Sequence, residues 1–388
     1  MTSPVKTSSS PSRGASPWKF RKGGFPGENG GGVSPADRCG GTAGCRGGEP
    51  AWSGVPALFV FGDSLVDVGN NNFLPLSLAK ANFPPNGVDF PGGRPTGRFS
   101  NGYNVADYLG KLYGFRRSPP PFLSLNEPEI RQHVWGGISY ASAGSGILNS
   151  TGSTQGEVIS MEAQLHYFRT SLKSFRAAEC SINLRLLLSK AVFLLCTGSN
   201  DIFAFYNSNS SQIHLSKAEF ITTLTSNYEK HIQRLYRLGA RRFGMVGLGL
   251  VGCCPSMRSR TPSGGCMAEL NDLARQFNLA LRRVLKSLSG KLKGMKYSFG
   301  DGQKLGNMIA DDPSSFGFKD AMKACCGGGR LNGERPCNGN ATVCGDAKEF
   351  YFWDWYHPTA VAASLSAQVL YDGPPELVFP VNFRQLAV

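Results

Sequence analysis

The stretch PALFVFGDSLVDVGNNNF, residues 56–73, indicates both the fold and the position of a reactive side chain. Its apolar run, 57–61, is typical of a buried β-strand that ends at Gly62. Asp63 and Ser64 follow at once. A serine on the turn that leaves a parallel strand lies at the carboxyl edge of the sheet, where α/β proteins bind ligands. The segment therefore predicts a candidate nucleophile at Ser64.

Two later segments repeat this layout of an apolar strand followed by small polar residues. The run 134–138 leads into SYASAG, which ends at Gly144, and the run 191–196 leads into TGSN, which ends at Asn200. Loops that follow the strands of one parallel sheet open at the same edge. We therefore expect Ser64, Gly144 and Asn200 to converge although they are far apart in the sequence.

A carboxylate and an imidazole lie three residues apart near the C-terminus, in DWYHPT (354–359). Pro358 disfavours the α conformation at His357 but is acceptable in the first turn of a following helix. The segment thus predicts a tight loop in which Asp354 accepts a hydrogen bond from one imidazole nitrogen and leaves the other nitrogen as a base. The four other histidines lack such a neighbour. Serine, aspartate and histidine in this chain order follow the logic of a catalytic triad.

These residue types suit ester chemistry. A serine hydroxyl is a weak nucleophile until an adjacent base takes its proton. Attack on an ester carbonyl places negative charge on oxygen, and each fixed donor aimed at that oxygen contributes roughly 3–4 kcal/mol. The candidate donors are the backbone N–H groups of Ser64 and Gly144 and the side-chain amide of Asn200. The predicted catalytic residues are Ser64, Asp354 and His357.

Four segments, FGDSLVDVGNNNF, ISYASAGSGI, GSNDIF and FWDWYHPT, resemble the GDSL esterase/lipase family of plants, within the SGNH hydrolase superfamily. The resemblance covers roughly 55–386, and the connecting segments 93–109, 247–255 and 324–333 fit as well. One position departs from the family pattern, which usually has Asn where this chain has Ser139. We expect a structural rather than a catalytic role at that position.

The resemblance implies a role for each candidate residue. Ser64 matches the nucleophile, Gly144 and Asn200 match the oxyanion donors, His357 matches the base and Asp354 matches the acid that orients it. It also implies a carboxylic ester hydrolase without a cofactor or a bound metal, and it slightly favours acyl lipids as substrates.

The alternation of strand and helix patterns predicts an α/β fold, and residues 55–388 are expected to form a single hydrolase domain. With the resemblance, the expected architecture is three-layer α/β/α around a central, mostly parallel five-stranded sheet, the flavodoxin-like fold of SGNH hydrolases. Gly239 is expected to end the second of three long helices. The predicted strands are 56–61, 134–140, 191–196, 242–248 and 295–299, and the long helices are 157–178, 216–238 and 267–289.

Residues 1–54 differ from the rest of the 388-residue chain. They are rich in Gly, Ser and Pro and carry seven Lys/Arg against three Asp/Glu. Such a segment cannot bury enough apolar surface to fold alone, and it has no apolar region of the kind found in a secretory signal. We expect a disordered or non-native leader, and both a chloroplast transit peptide and an incorrectly assigned start codon remain open.

Eleven cysteines are many for a reduced cytosolic protein. Disulfides that close surface loops fit their clustering better than a zinc site, which normally shows paired ligands two to four residues apart. The pairing stays open, and the odd count leaves at least one thiol unpaired in a monomer, for which Cys196 is a candidate. The clustered cysteines are Cys253, Cys254, Cys266, Cys325, Cys326, Cys337 and Cys344.

Composition also bears on partners and location. The net charge of +14 is spread along the chain without aromatic-interleaved basic motifs, so we expect a solvated surface and no nucleic-acid partner. No apolar run reaches the ~18 residues of a membrane span. Glycosylation sequons at Asn149, Asn209 and Asn340 and the cysteine content favour secretion, as the family resemblance does, with the chloroplast as the alternative. The oligomeric state is not predicted.

Three activities compete at the sequence level, and a fourth alternative is an inactive binding protein that keeps the fold, against which the complete set of site residues argues. The first is an esterase or lipase that forms an acyl-enzyme, and the second is an acyltransferase that uses the same site, as in relatives that assemble cutin. The third is a metal-dependent phosphoesterase, for which five hard ligands are available. It leaves Ser64 without a role. Those ligands are Asp63, Asn200, Asp201, Asp354 and His357.

Overall fold

A computed structural model describes residues 54–177, 183–208 and 215–388. The predicted leader, apart from Gly54, and the sequon at Asn209 lie outside these described residues. The strands are β1 (Leu58–Gly62), β2 (Val192–Cys196), β3 (Arg242–Val246), β4 (Lys296–Gly300), β5 (Asp320–Ala324), β6 (Cys326–Gly327), β7 (Thr342–Val343), β8 (Phe350–Phe352) and β9 (Val378–Phe379). The α-helices are α1 (Val105–Leu112), α2 (Glu127–Gln132), α3 (Met161–Arg176), α4 (Leu184–Lys190), α5 (Ser199–Ser208), α6 (Lys217–Arg237), α7 (Pro255–Ser259), α8 (Ala268–Lys291), α9 (Gly302–Asp311), α10 (Ala360–Asp372) and α11 (Phe383–Leu386).

The central sheet has the strand order β1-β2-β3-β4-β9. The first four strands are parallel, and β9 pairs antiparallel with β4. Gly62 at the end of β1 is in register with Cys196 at the end of β2. The residues that follow these two strands, Ser64 and Asn200 among them, therefore start from the same edge of the sheet.

The prediction of a regular strand at 134–140 is wrong. This segment lies beside β1 through isolated parallel bridges only, with hydrogen bonds such as that from the Leu58 N–H to the Gly136 carbonyl (3.1 Å). Gly136 and Gly137 have φ values of 85° and 94°, which interrupt the extended backbone that a continuous ladder needs. The antiparallel β9 supplies the fifth strand instead.

Alternate strand residues face opposite sides of the sheet, as the β-strand repeat of two requires. Phe59, Phe61 and Phe193 pack with α3, α6 and α8 in one core. Leu58 and Val60 pack with α1, α10 and α11 in the other. Each large apolar side chain fully buried in this way stabilises the fold by about 2–3 kcal/mol. The two cores confirm the predicted three-layer α/β/α architecture.

The three long helices predicted from the sequence are present as α3, α6 and α8. The first begins later than expected, at Met161, because the Ser160 hydroxyl accepts a hydrogen bond from the Ala163 N–H (3.3 Å) and caps the helix there. Gly239, with φ of 118°, follows α6 as predicted. Within the described ranges, no helix is both long and apolar enough to span a bilayer.

Disulfides close the cysteine-rich loops, as expected. Cys253 pairs with Cys266, and two further bonds cross-link the segment after β5. Among the described residues, Cys196 and Cys254 are free and buried, so the expectation of an unpaired Cys196 agrees with the structure. The two further pairs are Cys325–Cys344 and Cys326–Cys337.

Candidate active site

Ser64 lies on the turn that leaves β1, and its hydroxyl contacts the imidazole of His357. The Oγ–Nε2 distance is 2.8 Å although 293 residues of chain separate the two. Ser64 is half-buried at the wall of a cleft, whereas His357 is buried with 8% of its surface exposed. The structure thus brings together the two groups that the sequence predicts as nucleophile and base.

Asp354 fixes the orientation of the imidazole. Its carboxylate oxygens lie 2.8 and 2.9 Å from His357 Nδ1, and Oδ1 also accepts hydrogen bonds from the backbone N–H groups of Tyr356 (2.9 Å) and His357 (2.8 Å). With Nδ1–H donated to the carboxylate, Nε2 accepts the Ser64 proton. The Phe99 ring packs on the imidazole, with centroids 4.9 Å apart.

The loop that carries Asp354 and His357 is held on both sides. Before it, the buried Trp353 donates from Nε1 to Asn86 Oδ1 (2.9 Å), and its carbonyl accepts from the Cys326 N–H (2.7 Å). After it, Asn101 Oδ1 accepts from the Ala360 N–H at the start of α10 (2.7 Å). Sequence reasoning did not identify Asn86 or Asn101, and the only signal was the position of Asn101 in a segment that fits the family.

The candidate oxyanion donors line the same cleft as Ser64 and His357. Asn200 is the second residue of α5, and its Nδ2 donates one hydrogen bond to the Ser145 carbonyl (2.9 Å). Gly144 has φ of 82°, a conformation that favours glycine. Within the described residues, the backbone N–H groups of Ser64 and Gly144 donate to no protein acceptor. Both groups remain available to a ligand.

The remainder of the serine segment holds the loop that ends at Gly144. Asp67 Oδ2 accepts from the Ala143 N–H (3.0 Å), and Asn71 Nδ2 donates to the Ala143 carbonyl (3.0 Å). Asn70 Nδ2 donates to the Ala141 carbonyl (2.8 Å). Asp67, Asn70 and Asn71 therefore hold the loop that ends at Gly144, a candidate oxyanion donor, close to the turn of Ser64, a role that sequence reasoning missed.

Two buried aspartates flank the site without touching a reacting group. Asp201 accepts hydrogen bonds from two backbone N–H groups and one hydroxyl of the loop 147–151, and burial raises its pKa. Asp63 Oδ1 accepts from the Leu65 N–H (3.1 Å), whereas its buried Oδ2 has no partner among the described residues. Burial raises the pKa of Asp63 to about 7, against smaller opposing effects from the Leu65 N–H and the nearby His357.

Gln164 on α3 completes the end of β1. Its Oε1 accepts from the Gly62 N–H (2.9 Å), and its Nε2 donates to the Gly62 carbonyl (2.9 Å) and the Ile159 carbonyl (3.0 Å). The side chain is fully buried. The sequence signal for this role is a polar residue beside the apolar positions of an amphipathic helix.

The cleft has a volume of about 720 Å³, within the usual range for small-molecule sites. Ser139, the position that departs from the family pattern, does not line it. The Ser139 side chain is fully buried, which agrees with the structural role expected for it. Leu78, Phe83, Phe203, Leu250 and Val251 are among the apolar residues of the cleft wall.

Among the described residues, no group of three or more His, Cys, Asp or Glu side chains is arranged to hold a metal ion. The hard ligands of the phosphoesterase alternative have other partners. Asp201 bonds to the loop 147–151, Asn200 to Ser145 and Asp354 to His357. The structure does not bring them to one point.

The comparisons with known proteins agree on one family. The model of the GDSL-like lipase/acylhydrolase family matches residues 58–370. GDSL esterase/lipase At4g16230 of Arabidopsis thaliana is 38% identical over 340 residues, covering 86% of this chain and 91% of its own length. GDSL esterase/lipase At5g55050 of the same plant is 35% identical over 339 residues, covering 86% and 90%. This chain therefore belongs to the GDSL-like lipase/acylhydrolase family.

Proposed function

We propose that the protein is a serine ester hydrolase that cleaves acyl esters through an acyl-enzyme on Ser64. The observation that carries the proposal is the 2.8 Å contact between Ser64 Oγ and His357 Nε2, with Asp354 on the other imidazole nitrogen. Family membership supports the same reaction class, because the relatives described above are named esterases or lipases.

The reaction follows from this geometry. As Ser64 Oγ bonds to the ester carbonyl carbon, its proton passes to His357 Nε2. The carbon–oxygen bond to the alcohol then breaks, and the imidazolium returns the proton to the leaving alcohol. A water molecule next attacks the acyl carbon and gives a proton to Nε2. The bond from this carbon to Ser64 Oγ then breaks, Nε2 returns the proton to Oγ, and the carboxylic acid leaves. Asp354 keeps the proton on Nδ1 and stabilises the imidazolium throughout.

The negative charge of each tetrahedral intermediate needs donors. The N–H groups of Ser64 and Gly144 and the second amide hydrogen of Asn200 are the groups we assign to this role. Each such donor is worth about 3–4 kcal/mol in the transition state. The hydrogen bond from Asn200 to the Ser145 carbonyl fixes the amide before substrate arrives, so no reorganisation is needed during the reaction.

The test is Ser64→Ala with p-nitrophenyl butyrate as the substrate. We expect kcat to fall at least about a thousandfold, because a triad without its nucleophile keeps only residual catalysis, while circular dichroism stays unchanged. Ser289→Ala, which alters a helix serine outside the cleft, serves as the matched control and should keep the wild-type rate.

Active-site labelling gives an independent readout. A fluorophosphonate probe should modify wild-type protein, and mass spectrometry should find the adduct on Ser64. EDTA should leave turnover unchanged. Wild-type turnover in the folded Ser64→Ala variant, or an adduct on another serine, would show that the assignment is wrong.

Hydrolysis is favoured over acyl transfer. Thr154, Gln155 and Asn207 line the cleft and are exposed, so water reaches the acyl-enzyme from this side. The transferase alternative uses the same residues. It predicts that added glycerol or a primary alcohol diverts most of the acyl group into a new ester, which gas chromatography of the products would detect.

We further propose that residues 55–388 form one hydrolase domain that follows the secretory route. Three disulfides support an oxidising compartment, and the sequon residues Asn149 and Asn340 are exposed. Enzymatic deglycosylation of protein from plant cells should lower its mass. N-terminal sequencing of the mature protein would distinguish this route from chloroplast import.

A further inference from the structure

We propose that the inner part of the cleft takes the acyl chain of the substrate, so that the enzyme selects esters of medium-length and long aliphatic acids. The inference rests on the proposed ester hydrolysis at Ser64 and specifies its substrate class. We call this part the inner chamber and define it by the lining residues of α9, α10, the ends of β3 and β4, and the residue before β9. Its apolar side chains are Val246, Leu305, Ile309, Val369, Leu370 and Leu377.

The inner chamber belongs to the same cavity as the nucleophile and the base. Its side chains are shielded from solvent, with Leu305 at 8%, Ile309 at 2% and Leu370 at 5% exposure. The rim of the cleft differs because it is solvent-exposed, with the polar Thr154 and Gln155 as well as the apolar Leu78 and Phe83. An ester bound at Ser64 therefore meets an apolar enclosure on one side and a solvated rim on the other.

Each charged side chain along the cleft wall makes at least one hydrogen bond within the chain, although Asp63 Oδ2 has no partner among the described residues. Lys80 Nζ donates to the Asn71 and Leu74 carbonyls, and Arg258 donates to the Cys253 and Gly264 carbonyls. The other three are Asp63, Asp301 and Asp354, which accept from the Leu65 N–H, the Lys304 N–H and His357.

Glycines allow close packing in the wall of the inner chamber. At Gly306 an added Cβ would lie 3.0 Å from Leu250 Cγ, and at Gly300 it would collide with Leu370. Gly249 is different, because a Cβ there meets only the Gly302 carbonyl oxygen, at 3.8 Å. Its φ is outside the positive range. A side chain at position 249 can therefore extend into free space in the cleft without backbone strain.

The chamber predicts a dependence on acyl length. Burying a methylene favours binding by about 0.8 kcal/mol, which corresponds to a factor of about four in kcat/KM. With p-nitrophenyl esters below their critical micelle concentrations, we expect kcat/KM to rise at least about a hundredfold from acetate to octanoate. Lengthening the alcohol instead, from ethyl acetate to octyl acetate, should change kcat/KM by less than about tenfold, because that side is solvated.

The variant Gly249→Leu should fill the chamber. We expect its octanoate-to-acetate ratio of kcat/KM to fall at least about tenfold, because about two methylenes of the acyl chain lose their binding site. Gly290→Leu is the matched control. Gly290 lies on the exposed side of α8 with nothing within 4 Å of an added Cβ, so the wild-type ratio should persist.

The outcomes separate this proposal from the proposed function. If Ser64 is labelled and acetate is hydrolysed but kcat/KM does not rise along the acyl series, the chamber proposal is wrong and the proposed ester hydrolysis stands. A rise along the alcohol series alone would also overturn it. Absence of both labelling and turnover would remove the function and the chamber together. The chain-length series uses wild-type protein, so it decides the question even if Gly249→Leu fails to fold.

Discussion

At the residue scale, Asp63 occupies an unusual position. It lies next to Ser64, the proposed nucleophile, it is 1% exposed, and its Oδ2 has no partner among the described residues. Burial of a carboxylate without sufficient hydrogen bonds disfavours the charged form. That is the reason why its pKa is raised to about 7. The adjacent Ser64 thus sits beside a carboxyl group that is protonated in mildly acidic solution.

This raised pKa makes stability depend on pH. At pH values between the pKa of Asp63 in the unfolded state, about 4, and its pKa in the folded state, about 7, the folded state binds more protons than the unfolded state. The contribution of Asp63 to the free energy of unfolding therefore falls as pH rises through this window. Asp63→Asn should remove the decline, so that the variant gains stability relative to wild type from pH 4.5 to pH 8.

Urea unfolding at several pH values measures the effect. If the free energies of unfolding of wild type and variant differ by the same amount from pH 4.5 to 8, the pH dependence does not come from Asp63. Asp311→Asn offers a control on the surface, because Asp311 is exposed at the end of α9 and should give a difference without this pH dependence.

At the element scale, α3 supports the active site as well as the core. Its Gln164 bonds to both backbone groups of Gly62, the last residue of β1, and also donates to Ser145 Oγ (3.2 Å). The helix therefore joins the end of the strand before the nucleophile to the loop after Gly144. Neither backbone group of Gly62 can reach water at this depth, since Gly62 is buried.

Gln164→Leu should lower the free energy of unfolding by about 2–4 kcal/mol, because the Gly62 N–H and the Ile159 carbonyl lose their partner and each such buried group costs about 1–3 kcal/mol. We also expect a lower kcat with a nearly unchanged KM, since the turn that carries Ser64 loses its anchor. Guanidinium unfolding and steady-state kinetics measure the two effects. The exposed Gln132 at the end of α2 provides the control, and Gln132→Leu should alter neither quantity.

At the scale of the whole molecule, two disulfides brace the loop that carries His357, the proposed base. Cys326 and Cys337 lie with the buried Trp353 in a small separate core, and the Cys326 N–H bonds to the Trp353 carbonyl. Asp354 follows directly. The geometry of the Asp354–His357 pair therefore depends on cross-links in a different part of the chain.

Replacing Cys326 and Cys337 together with Ala should lower the free energy of unfolding by about 3 kcal/mol, the loop-closure value for a short loop; the two are 11 residues apart in sequence. Activity should fall as well, because Trp353 then packs less firmly and no longer fixes the loop that carries Asp354 and His357. Thermal unfolding and butyrate hydrolysis measure both. Cys254→Ala removes a buried thiol that forms no disulfide and should cost less stability; an equal loss in both variants would contradict the cross-link explanation.

The sequence by itself determined the family, the α/β class and the identity of the candidate site residues. Local patterns were sufficient for these, because an apolar run followed by Asp63 and Ser64 marks a strand end, and a proline after His357 marks a loop before a helix. The order of the segments was also informative, because the loops that follow parallel strands lie at one edge of the sheet. The long helices were also readable, because their apolar stripes repeat within a few turns.

Only the tertiary structure decided how the site is held and what surrounds it. Several features of the site depend on contacts across the fold. Gly136 and Gly137 interrupt the 134–140 segment, Asn70 and Asn101 hold the loop before Gly144 and the start of α10, and Gln164 binds the end of β1. The inner chamber likewise arises where α9 and α10 pack against the ends of β3 and β4. Such contacts join residues distant in sequence, and no local period or propensity encodes the distances between them.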